Sequence, residues 1–436
     1  MSDARRAVVA ALMKQEQNGY ANLVLAAALE HFSGPARDRA FITAAFYGTV
    51  ERLATIDWLL GKFCSRPLAK LDAAVRAILR TGLYQARWMD GVPVRAAVSE
   101  SVALCRRMGK TSAAGMVNAV LRKAAEYDLQ KAAFPDELTR LCVQYSVSPQ
   151  VAALLREKLP EQCEAILAAS FQKPRVCVRA NTLRTSAPEL AEALEQLGAK
   201  TQPGPLPGSL FVEYRGDLTA TPLFAAGAFH VQGLASQLAC AALAPKPGEK
   251  VLDLCAAPGG KSATLAQYMN NEGTLASFDA AQNRVPLIER QFARLGITCA
   301  KAGTADAAVF AEALTDMDAV LCDVPCSGLG TLAKKPDVRY KTLDGLAELT
   351  ALQHAILKTG ARYVKPGGRL VYSTCTLNPD ENGAVVRAFL NEQENFRLRE
   401  VPRIPQAVYN DDKTVTLYPF CPETDGFFIA SMERVW

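Results

Sequence analysis

The chain has 436 residues, which exceeds the size of one ordinary hydrophobic core, so we expect two or three domains. No apolar run reaches membrane-spanning length and the charged, helix-patterned start does not resemble a signal peptide, so we expect a cytoplasmic protein without a membrane segment. Twelve cysteines in such a protein predict reduced thiols, and with only three histidines we expect no metal site.

The net charge of +5 is unevenly distributed along the chain. Residues 1–130 contain 18 Lys and Arg against 11 Asp and Glu, whereas the remaining residues carry a small acidic excess. A basic N-terminal third favours a polyanionic partner. On charge alone, a solvated helical surface is the commoner explanation.

Residues 1–130 show the periodicity of helices. Leu71, Val75, Ile78 and Leu83 recur on one helical face, and Gly-Pro and Pro punctuation separates such segments. We therefore predict a compact helical bundle as the first domain.

Residues 131–229 change from a helical to a mixed pattern. Helical periodicity continues to about Ser170, and residues 175–179 then alternate as a strand does. Ser186 and Glu189 form a capping box that opens a helix. Residues 202–208 hold three prolines and two glycines, which predicts a loop, and a short strand is expected directly after it. We interpret this stretch as a small α/β module.

From residue 230 to 436, strand and helix patterns alternate, which predicts a doubly wound, Rossmann-like α/β domain with a parallel sheet. The predicted strands are Lys250–Leu254, Thr274–Phe278, Ile297–Lys301, Ala319–Cys322 and Arg369–Ser373. The predicted helices are Lys261–Met269, Arg284–Leu295, Ala305–Leu314 and Leu346–Val364. Thr414–Tyr418 and Phe427–Met432 are expected to form an antiparallel pair at one edge.

A glycine-rich turn joins the first of these strands to the next helix, and its backbone is expected to bind a nucleotide-like cofactor. The turn consists of Cys255, Ala256, Ala257, Pro258, Gly259, Gly260 and Lys261. Asp279 ends the next strand, 20 residues after Gly259, where an acid suits a ribose hydroxyl. Arg284 and Asp306 are further candidates, although helix capping explains an isolated Asp306 equally well. Two adjacent glycines alone also fit a turn without a ligand, and the phosphate-loop spacing is missing.

Two cysteines, 49 residues apart, follow two other predicted strands. Cys326 lies three residues after Asp323, and Cys375 lies among Ser373, Thr374 and Thr376. The carboxyl ends of parallel strands meet at one sheet edge, where open α/β sheets bind ligands. Most cysteines without a disulfide are small buried hydrophobes, but polar neighbours at a strand end favour covalent chemistry here.

Five motifs together resemble the NOL1/NOP2/Sun family of RNA 5-methylcytosine methyltransferases over roughly the last 200 residues. The motifs occupy residues 255–261, 323–328, 335–337, 373–376 and 379–382. The helical N-terminal region resembles the RNA-binding NusB domain at residues 46–50, 78–80 and 117–122. A NusB-like domain ahead of this catalytic domain is similar to family members that methylate a cytosine of small-subunit (16S) ribosomal RNA. The chain departs from the family at Gly233, where an acid is common.

The resemblance implies S-adenosylmethionine as cofactor, Cys375 as nucleophile and Cys326 as an aid to product release. Attack of a thiolate at C6 of cytosine would activate C5 toward the methyl group, which is covalent catalysis. Asp323 is our choice for the contact to N3 of the base, and Lys261 would contact the cofactor region or stabilise local charge. We expect ribosomal RNA as partner, before or early in assembly, and a monomer.

Three alternatives stay open. The same chemistry would serve a cytosine of another ribosomal RNA or of transfer RNA. A methyltransferase of the same fold that acts on proteins or small molecules has no use for two strand-end cysteines. A non-catalytic RNA-binding assembly or antitermination factor would not need Asp323, Cys326 and Cys375 together.

Overall fold

The computed structural model describes residues 2–17, 19–421 and 423–436. Two compact units are present: the residues up to Phe171 together with Lys334–Thr342, and the residues Gln172–Ala333 together with Leu343–Trp436. The chain thus leaves the second unit for nine residues and returns to it.

The first unit is helical, as predicted. Its helices are α1 (Ser2–Gln15), α2 (Ala21–Glu30), α3 (Ala36–Glu51), α4 (Leu53–Phe63), α5 (Ala73–Arg87), α6 (Val94–Arg107), α7 (Ala114–Glu126), α8 (Glu137–Tyr145), α9 (Pro149–Lys158) and α10 (Cys163–Ala169). The Asp72 carboxylate caps α5 by accepting hydrogen bonds from the backbone of Ala74 and Val75. The predicted face of α5 is buried, including Val75, Ile78 and Leu83.

Helices α8–α10 cluster with the N-terminal helices, whereas the sequence pattern had placed them in the middle module. The Thr55 hydroxyl donates to the carbonyl of Val143 at 2.6 Å, and the Ser146 hydroxyl accepts from the backbone N–H of Ala54 at 3.1 Å. These contacts join residues about 90 positions apart, so no local pattern of the sequence reports them.

Residues Lys334–Thr342 are held in the first unit by a buried side chain, Arg339, and a half-buried one, Tyr340. The guanidinium of Arg339, which is 0% exposed, donates to the carbonyl of Tyr145 at 3.0 Å and to that of Ser170 at 2.6 Å. The Tyr340 hydroxyl lies 2.8 Å from the Ser146 hydroxyl. Buried polar groups need such partners, and these bonds supply them to both terminal nitrogens of Arg339 and to the Tyr340 hydroxyl.

The second unit begins with a small antiparallel sheet in the order β2-β3-β1-β4. Its elements are β1 (Val176–Ala180), α11 (Ala187–Gln196), β2 (Lys200–Pro203), β3 (Ser209–Glu213), α12 (Pro222–Ala225) and β4 (Phe229–Val231). The capping box of Ser186 and Glu189 is present at the start of α11, as predicted. The predicted loop over residues 202–208 was wrong at its start, because Gln202 and Pro203 pair with β3.

A nine-stranded sheet follows and confirms the predicted Rossmann-like domain. Its elements are α13 (Leu234–Leu243), β5 (Lys250–Asp253), α14 (Gly260–Tyr268), β6 (Thr274–Asp279), α15 (Val285–Leu295), β7 (Ala300–Thr304), β8 (Met317–Asp323), α16 (Leu346–Tyr363), β9 (Val364–Thr374), α17 (Gly383–Glu392), β10 (Phe396–Arg399), β11 (Ala407–Tyr409), β12 (Val415–Leu417) and β13 (Phe427–Arg434). The order is β11-β12-β13-β9-β8-β5-β6-β7, with β10 also paired to β13. Strands β5 to β9 are parallel. Strands β12 and β13 form the expected antiparallel pair, and β11 lies outside them as the edge strand.

The predicted helix Ala305–Leu314 was wrong, since this segment forms turns that end in a short 3-10 helix, Glu312–Leu314. Some of its backbone groups bond to side chains of α16. The Thr359 hydroxyl donates to the carbonyl of Ala308 at 3.0 Å, and the Tyr363 hydroxyl accepts from the backbone N–H of Ala311 at 2.8 Å. A tertiary partner therefore overrides the local helical pattern.

The predicted strand Ile297–Lys301 was displaced, because β7 begins only at Ala300. Gly296 ends α15 with φ +72°, and the Ile297 N–H bonds to the carbonyl of Phe292 at 2.9 Å. The apolar side chain of Ile297 is buried as part of this helix end rather than in the strand.

Candidate active site

The two predicted cysteines are adjacent in the structure. Strands β8 and β9 are parallel, with Asp323 opposite Ser373, so the loops that follow them start side by side. The sulfur atoms of Cys326 and Cys375 lie 3.2 Å apart, which is longer than the roughly 2 Å of a disulfide. Both side chains are half-buried. The thiols therefore share one site at the sheet edge.

The two thiols are hydrogen-bonded to each other, and the geometry allows either sulfur atom to be the donor. The hydrogen bond to Cys375, reinforced by burial, raises the pKa of Cys326 well above its usual value. A raised pKa favours the protonated form of Cys326. A thiolate is the nucleophilic form of cysteine, so this arrangement favours Cys375 as the attacking group.

Asp323 and Lys261 form an ion pair beside the thiols. The Lys261 ammonium lies 2.7 Å from one carboxylate oxygen of Asp323, and the Ser373 hydroxyl donates to the other at 2.7 Å. Burial opposes the charge of Lys261, but the Asp323 carboxylate outweighs this effect and raises the Lys261 pKa. The ammonium also lies 5.4 Å from the centre of the Phe427 ring. Three strand ends therefore contribute to one charged cluster.

The glycine turn connects β5 to α14 and encloses a cavity of about 240 Å³. Its lining residues are Val231, Gln232, Gly233, Ser236, Cys255, Ala256, Ala257, Pro258, Gly260, Lys261 and Asp323. Gly259 precedes the helix with φ +101°, a conformation that favours glycine, and a Cβ atom there would lie 3.1 Å from the Cα atom of Ile288. A Cβ atom on Gly260 would meet no atom within 4 Å, so the backbone at the start of α14 is open to a ligand.

Asp253, at the end of β5, connects the strand to the helix on the other side of the glycine turn. Its fully buried carboxyl accepts a hydrogen bond from the Ser262 hydroxyl at 2.6 Å. Burial raises the pKa of Asp253 to about 7. Burial also raises the pKa of the neighbouring Cys255 thiol well above its usual value, so Cys255 stays protonated and contributes packing and backbone to the turn.

Of the more distant candidates, Asp279 lies next to the turn and Asp306 lies further out. The buried Asp279 carboxylate accepts from the backbone of Ala257 at 3.3 Å, and Arg284 forms an ion pair with it at 3.3 Å. Arg284 also donates to the carbonyl of Ala257 at 2.9 Å. Asp306 is exposed, and its carboxylate accepts from the backbone of Ala308 at 2.9 Å.

The donor set fits a cofactor with an amino-acid end, a sulfonium and a ribose. Free backbone N–H groups at the start of α14 suit a carboxylate, the Asp323 carboxylate suits a cation, and an acid at the end of β6 suits a ribose diol. This agreement rests on the turn from Cys255 to Lys261, on Asp323 and on Asp279.

The sequence reasoning missed several residues of the site. Gln232 and Ser236 line the cavity, and the Gln232 amide donates to the carbonyl of Gly260 at 3.1 Å. The sequence does contain an indication of this position. Gly233, where the chain departs from the family pattern, lies between Gln232 and Ser236 in the chain and also lines the cavity. Glu381 was part of a matched motif, yet its role as a shared partner of both cysteine loops was not foreseen.

Family models match three stretches of the chain. Residues 240–433 match the model described as 16S rRNA methyltransferase RsmB/F, and residues 2–126 match the NusB family. Residues 151–219 match the ferredoxin-like domain of RsmF/B-like methyltransferases.

Relatives and solved structures are similar over most of the chain. A probable ribosomal RNA small subunit methyltransferase B of Bacillus subtilis is 34% identical, with 99% of each chain covered. Ribosomal RNA small subunit methyltransferase B of Salmonella arizonae is 31% identical over 91% of this chain and 90% of that protein. The crystal structure of PH0851 covers 100% of this chain and 99% of its own, with TM-score 0.84 and 28% identity. A methyltransferase homolog protein from Pyrococcus horikoshii covers 69% of this chain and 100% of its own, with TM-score 0.62 and 30% identity.

The fold and the turn at β5 define a Rossmann-like, S-adenosylmethionine-dependent methyltransferase preceded by a NusB domain. The full-length similarity goes further: the chain belongs to the RsmB/F family of methyltransferases. In the part of the chain that the structure describes, no helix is both long and apolar enough to cross a membrane, and no group of His, Cys, Asp and Glu side chains could hold a metal ion.

Proposed function

We propose that this enzyme methylates C5 of a cytosine in 16S ribosomal RNA through a covalent bond between Cys375 and C6 of the base. The observation that carries the proposal is the pair of thiols 3.2 Å apart at adjacent strand ends, beside the Asp323–Lys261 ion pair. Methyl transfer to oxygen or nitrogen atoms does not need a cysteine nucleophile, whereas C5 of cytosine must first be activated at C6.

Attack on the base begins at Cys375. Its thiolate forms a bond to C6, and the electrons of the C5–C6 double bond move through C4 toward N3, which takes up a proton from solvent, so that C5 becomes nucleophilic. The Asp323 carboxylate accepts a hydrogen bond from protonated N3 and stabilises this form of the ring. Lys261 and Ser373 hold the two oxygens of Asp323, which orients the carboxylate before the base arrives.

S-adenosylmethionine, when bound, supplies the methyl group that C5 takes up. The backbone from Cys255 to Lys261 would hold it, and Asp279 and Arg284 would contact its ribose end, with Asp306 as an outer contact. Lys261 links the two halves of the site, because it belongs to the cofactor turn and pairs with Asp323.

Release of the product reverses the first bond. The C5 proton passes to solvent, the C5–C6 double bond re-forms, and the bond between C6 and Cys375 breaks with its electron pair left on the sulfur. N3 returns to solvent the proton that it took up in the first step. Cys326 assists this step, because its S–H donates a hydrogen bond to the departing sulfur and stabilises the thiolate. The two cysteines therefore have different roles in one reaction.

RNA recognition belongs to the parts of the chain outside the Rossmann-like domain. The basic excess lies within residues 1–130, and a flipped-out or unpaired base is needed for the thiol to reach C6. We propose that the substrate is 16S RNA before or early in assembly, and that the protein acts as a monomer in the cytoplasm. No disulfide joins the cysteines of the described residues, which fits a reducing compartment.

A methyl-transfer assay with unmodified 16S RNA and tritiated S-adenosylmethionine distinguishes the roles of the two cysteines. Cys375→Ala is expected to bind cofactor and RNA but to give neither methylation nor a covalent adduct. Cys326→Ala is expected to accumulate a protein–RNA adduct, seen as a shifted band on a denaturing gel.

The opposite outcome has a definite meaning. An adduct with Cys375→Ala and none with Cys326→Ala would make Cys326 the nucleophile. No adduct with either variant, together with two similar enzymes destabilised by about 1 kcal/mol, would reduce both cysteines to packing residues and overturn the covalent mechanism.

A further inference from the structure

The two cysteine loops are joined by one buried carboxylate. Glu381, which is 0% exposed, lies in the turn between β9 and α17 and touches neither sulfur through any of its hydrogen bonds. Its carboxylate accepts hydrogen bonds instead from the residue that follows each cysteine in the chain. The Ser327 hydroxyl donates to it at 2.6 Å and the Thr376 hydroxyl at 3.3 Å, and the two hydroxyls lie 2.7 Å from each other.

Further donors complete the binding of this carboxylate. One oxygen accepts from the Ser327 backbone N–H at 2.7 Å and from the Gln353 amide at 3.0 Å. The other accepts from the Asn378 amide at 3.1 Å. All of these partners are donors, which is the pattern of an ionised carboxylate, and such charge-assisted bonds are stronger than neutral ones.

The backbone of Glu381 is fixed to the sheet as well. The Tyr372 hydroxyl donates to the Glu381 carbonyl at 2.5 Å, and Gln353 donates to the carbonyl of Pro325 at 2.9 Å. The neighbouring Asn382 acts more locally: its amide accepts from the Thr374 hydroxyl at 2.6 Å and donates to the carbonyl of Thr376 at 3.0 Å, on either side of Cys375. Asn382 therefore braces one cysteine loop, whereas Glu381 spans both.

We propose that Glu381 is a positioning residue that sets the distance between the two thiols and keeps the shared proton on Cys326. This inference rests on the proposed function, because it concerns the division of roles between the cysteines. Its geometric basis is the bonding of one carboxylate to both Ser327 and Thr376, each one residue beyond a cysteine. Its electrostatic basis is a negative charge near Cys326, which disfavours a second negative charge on that sulfur.

Glu381→Gln tests the proposal because it keeps the volume but turns one acceptor into a donor. Either orientation of the new amide then faces donors of Ser327 or Asn378. In the Cys326→Ala background, we expect the single-turnover rate of adduct formation to fall at least tenfold while the cofactor dissociation constant, measured by calorimetry, stays unchanged.

A second measurement does not depend on RNA. The pH dependence of iodoacetamide alkylation at Cys326, followed by peptide mass spectrometry on the full chain, reports the proton affinity of that thiol. Glu381→Gln should lower the alkylation midpoint of Cys326 by about one pH unit, since a like charge has been removed. Asn382→Ala is the matched variant: it loosens the Cys375 loop without removing a charge, so the Cys326 midpoint should not move.

The two measurements distinguish the ways of failing. An unchanged Cys326 midpoint and an adduct rate that falls only with the folded fraction would make Glu381 a structural residue and overturn the inference. If wild-type enzyme gives no methylation or adduct at all, the proposed function fails, whereas the alkylation midpoints still decide whether Glu381 holds the proton on Cys326.

Discussion

The two compact units bury charge in different ways. In the first unit, the buried charge of residues 334–342 is Arg339, whose guanidinium bonds to carbonyl groups. Burial lowers the pKa of Arg339 only to about 10, so it remains a cation at neutral pH. At the sheet edge of the second unit, the buried groups are carboxyls and thiols, and burial raises the pKa of Asp253 to about 7.

These two kinds of buried group differ in their response to pH. An arginine cannot be neutralised in the physiological range, so its burial serves to hold chain segments together at constant charge. Carboxyls and thiols change protonation when their surroundings change, and perturbed groups of this kind gather at active sites. We therefore expect the stability of the helical unit to depend on the hydrogen bonds of Arg339 at any pH near neutrality. The stability contributed by the buried groups at the sheet edge should change with pH.

The largest loss of stability is expected from Arg339→Ala. Truncation removes the bonds to Tyr145 and Ser170 and leaves their carbonyls without this donor, so the free energy of unfolding should fall by about 3 kcal/mol. Urea unfolding followed by circular dichroism measures the loss. Arg397→Ala, at a guanidinium that is 66% exposed, is the control and should cost under about 0.5 kcal/mol. Equal losses in both variants would contradict a special role of the buried site.

A pH-dependent effect is expected from Asp253→Asn. The folded-state pKa of Asp253 is raised from 3.8 to about 7, so the folded protein holds a proton that the unfolded chain has lost between these values. The contribution of Asp253 to the free energy of unfolding of the wild type is therefore complete below about pH 4. It decreases as the pH rises to about 7, by at most about 1.4 kcal/mol per pH unit. Asparagine does not titrate, so the variant should gain stability relative to wild type over that range.

Denaturant titrations of both proteins at several pH values measure this difference directly. The same series on Arg339→Ala should give a difference from wild type that does not vary between pH 5 and 8, because the guanidinium stays charged throughout. If the difference in free energy of unfolding between Asp253→Asn and wild type did not vary between about pH 4 and 7, the pKa of Asp253 would not be raised in the folded protein.

The smallest effect is expected at the cofactor turn. Asp279→Ala should weaken S-adenosylmethionine binding by about tenfold, equivalent to about 1.4 kcal/mol, without unfolding the protein. Asp306→Ala should have a smaller effect, since Asp306 is exposed and bonds within its own turn. Calorimetry measures both dissociation constants, and an unchanged value for Asp279→Ala would remove Asp279 from the cofactor site.

Local patterns were enough for the parts of the fold that depend on near neighbours. The capping box at Ser186 and the apolar face of α5 were predicted correctly, because the partners lie within one helix. The segment 305–314 and the start of β7 were predicted wrongly. In the segment 305–314, the decisive hydrogen bonds come from Thr359 and Tyr363, about 50 residues away. At the start of β7, the apolar residue Ile297 belongs to the end of α15 instead of to the strand.

By itself, the sequence determined that Cys326, Cys375 and the turn from Cys255 to Lys261 lie at one edge of a sheet, since parallel strands end on the same side. Only the tertiary structure decided that the two sulfur atoms lie 3.2 Å apart, that Glu381 bonds to the loops of both, and that residues 334–342 belong to the first unit. Strand periodicity specifies the direction and face of each element, but hydrogen bonds between residues distant in the chain depend on how the elements pack.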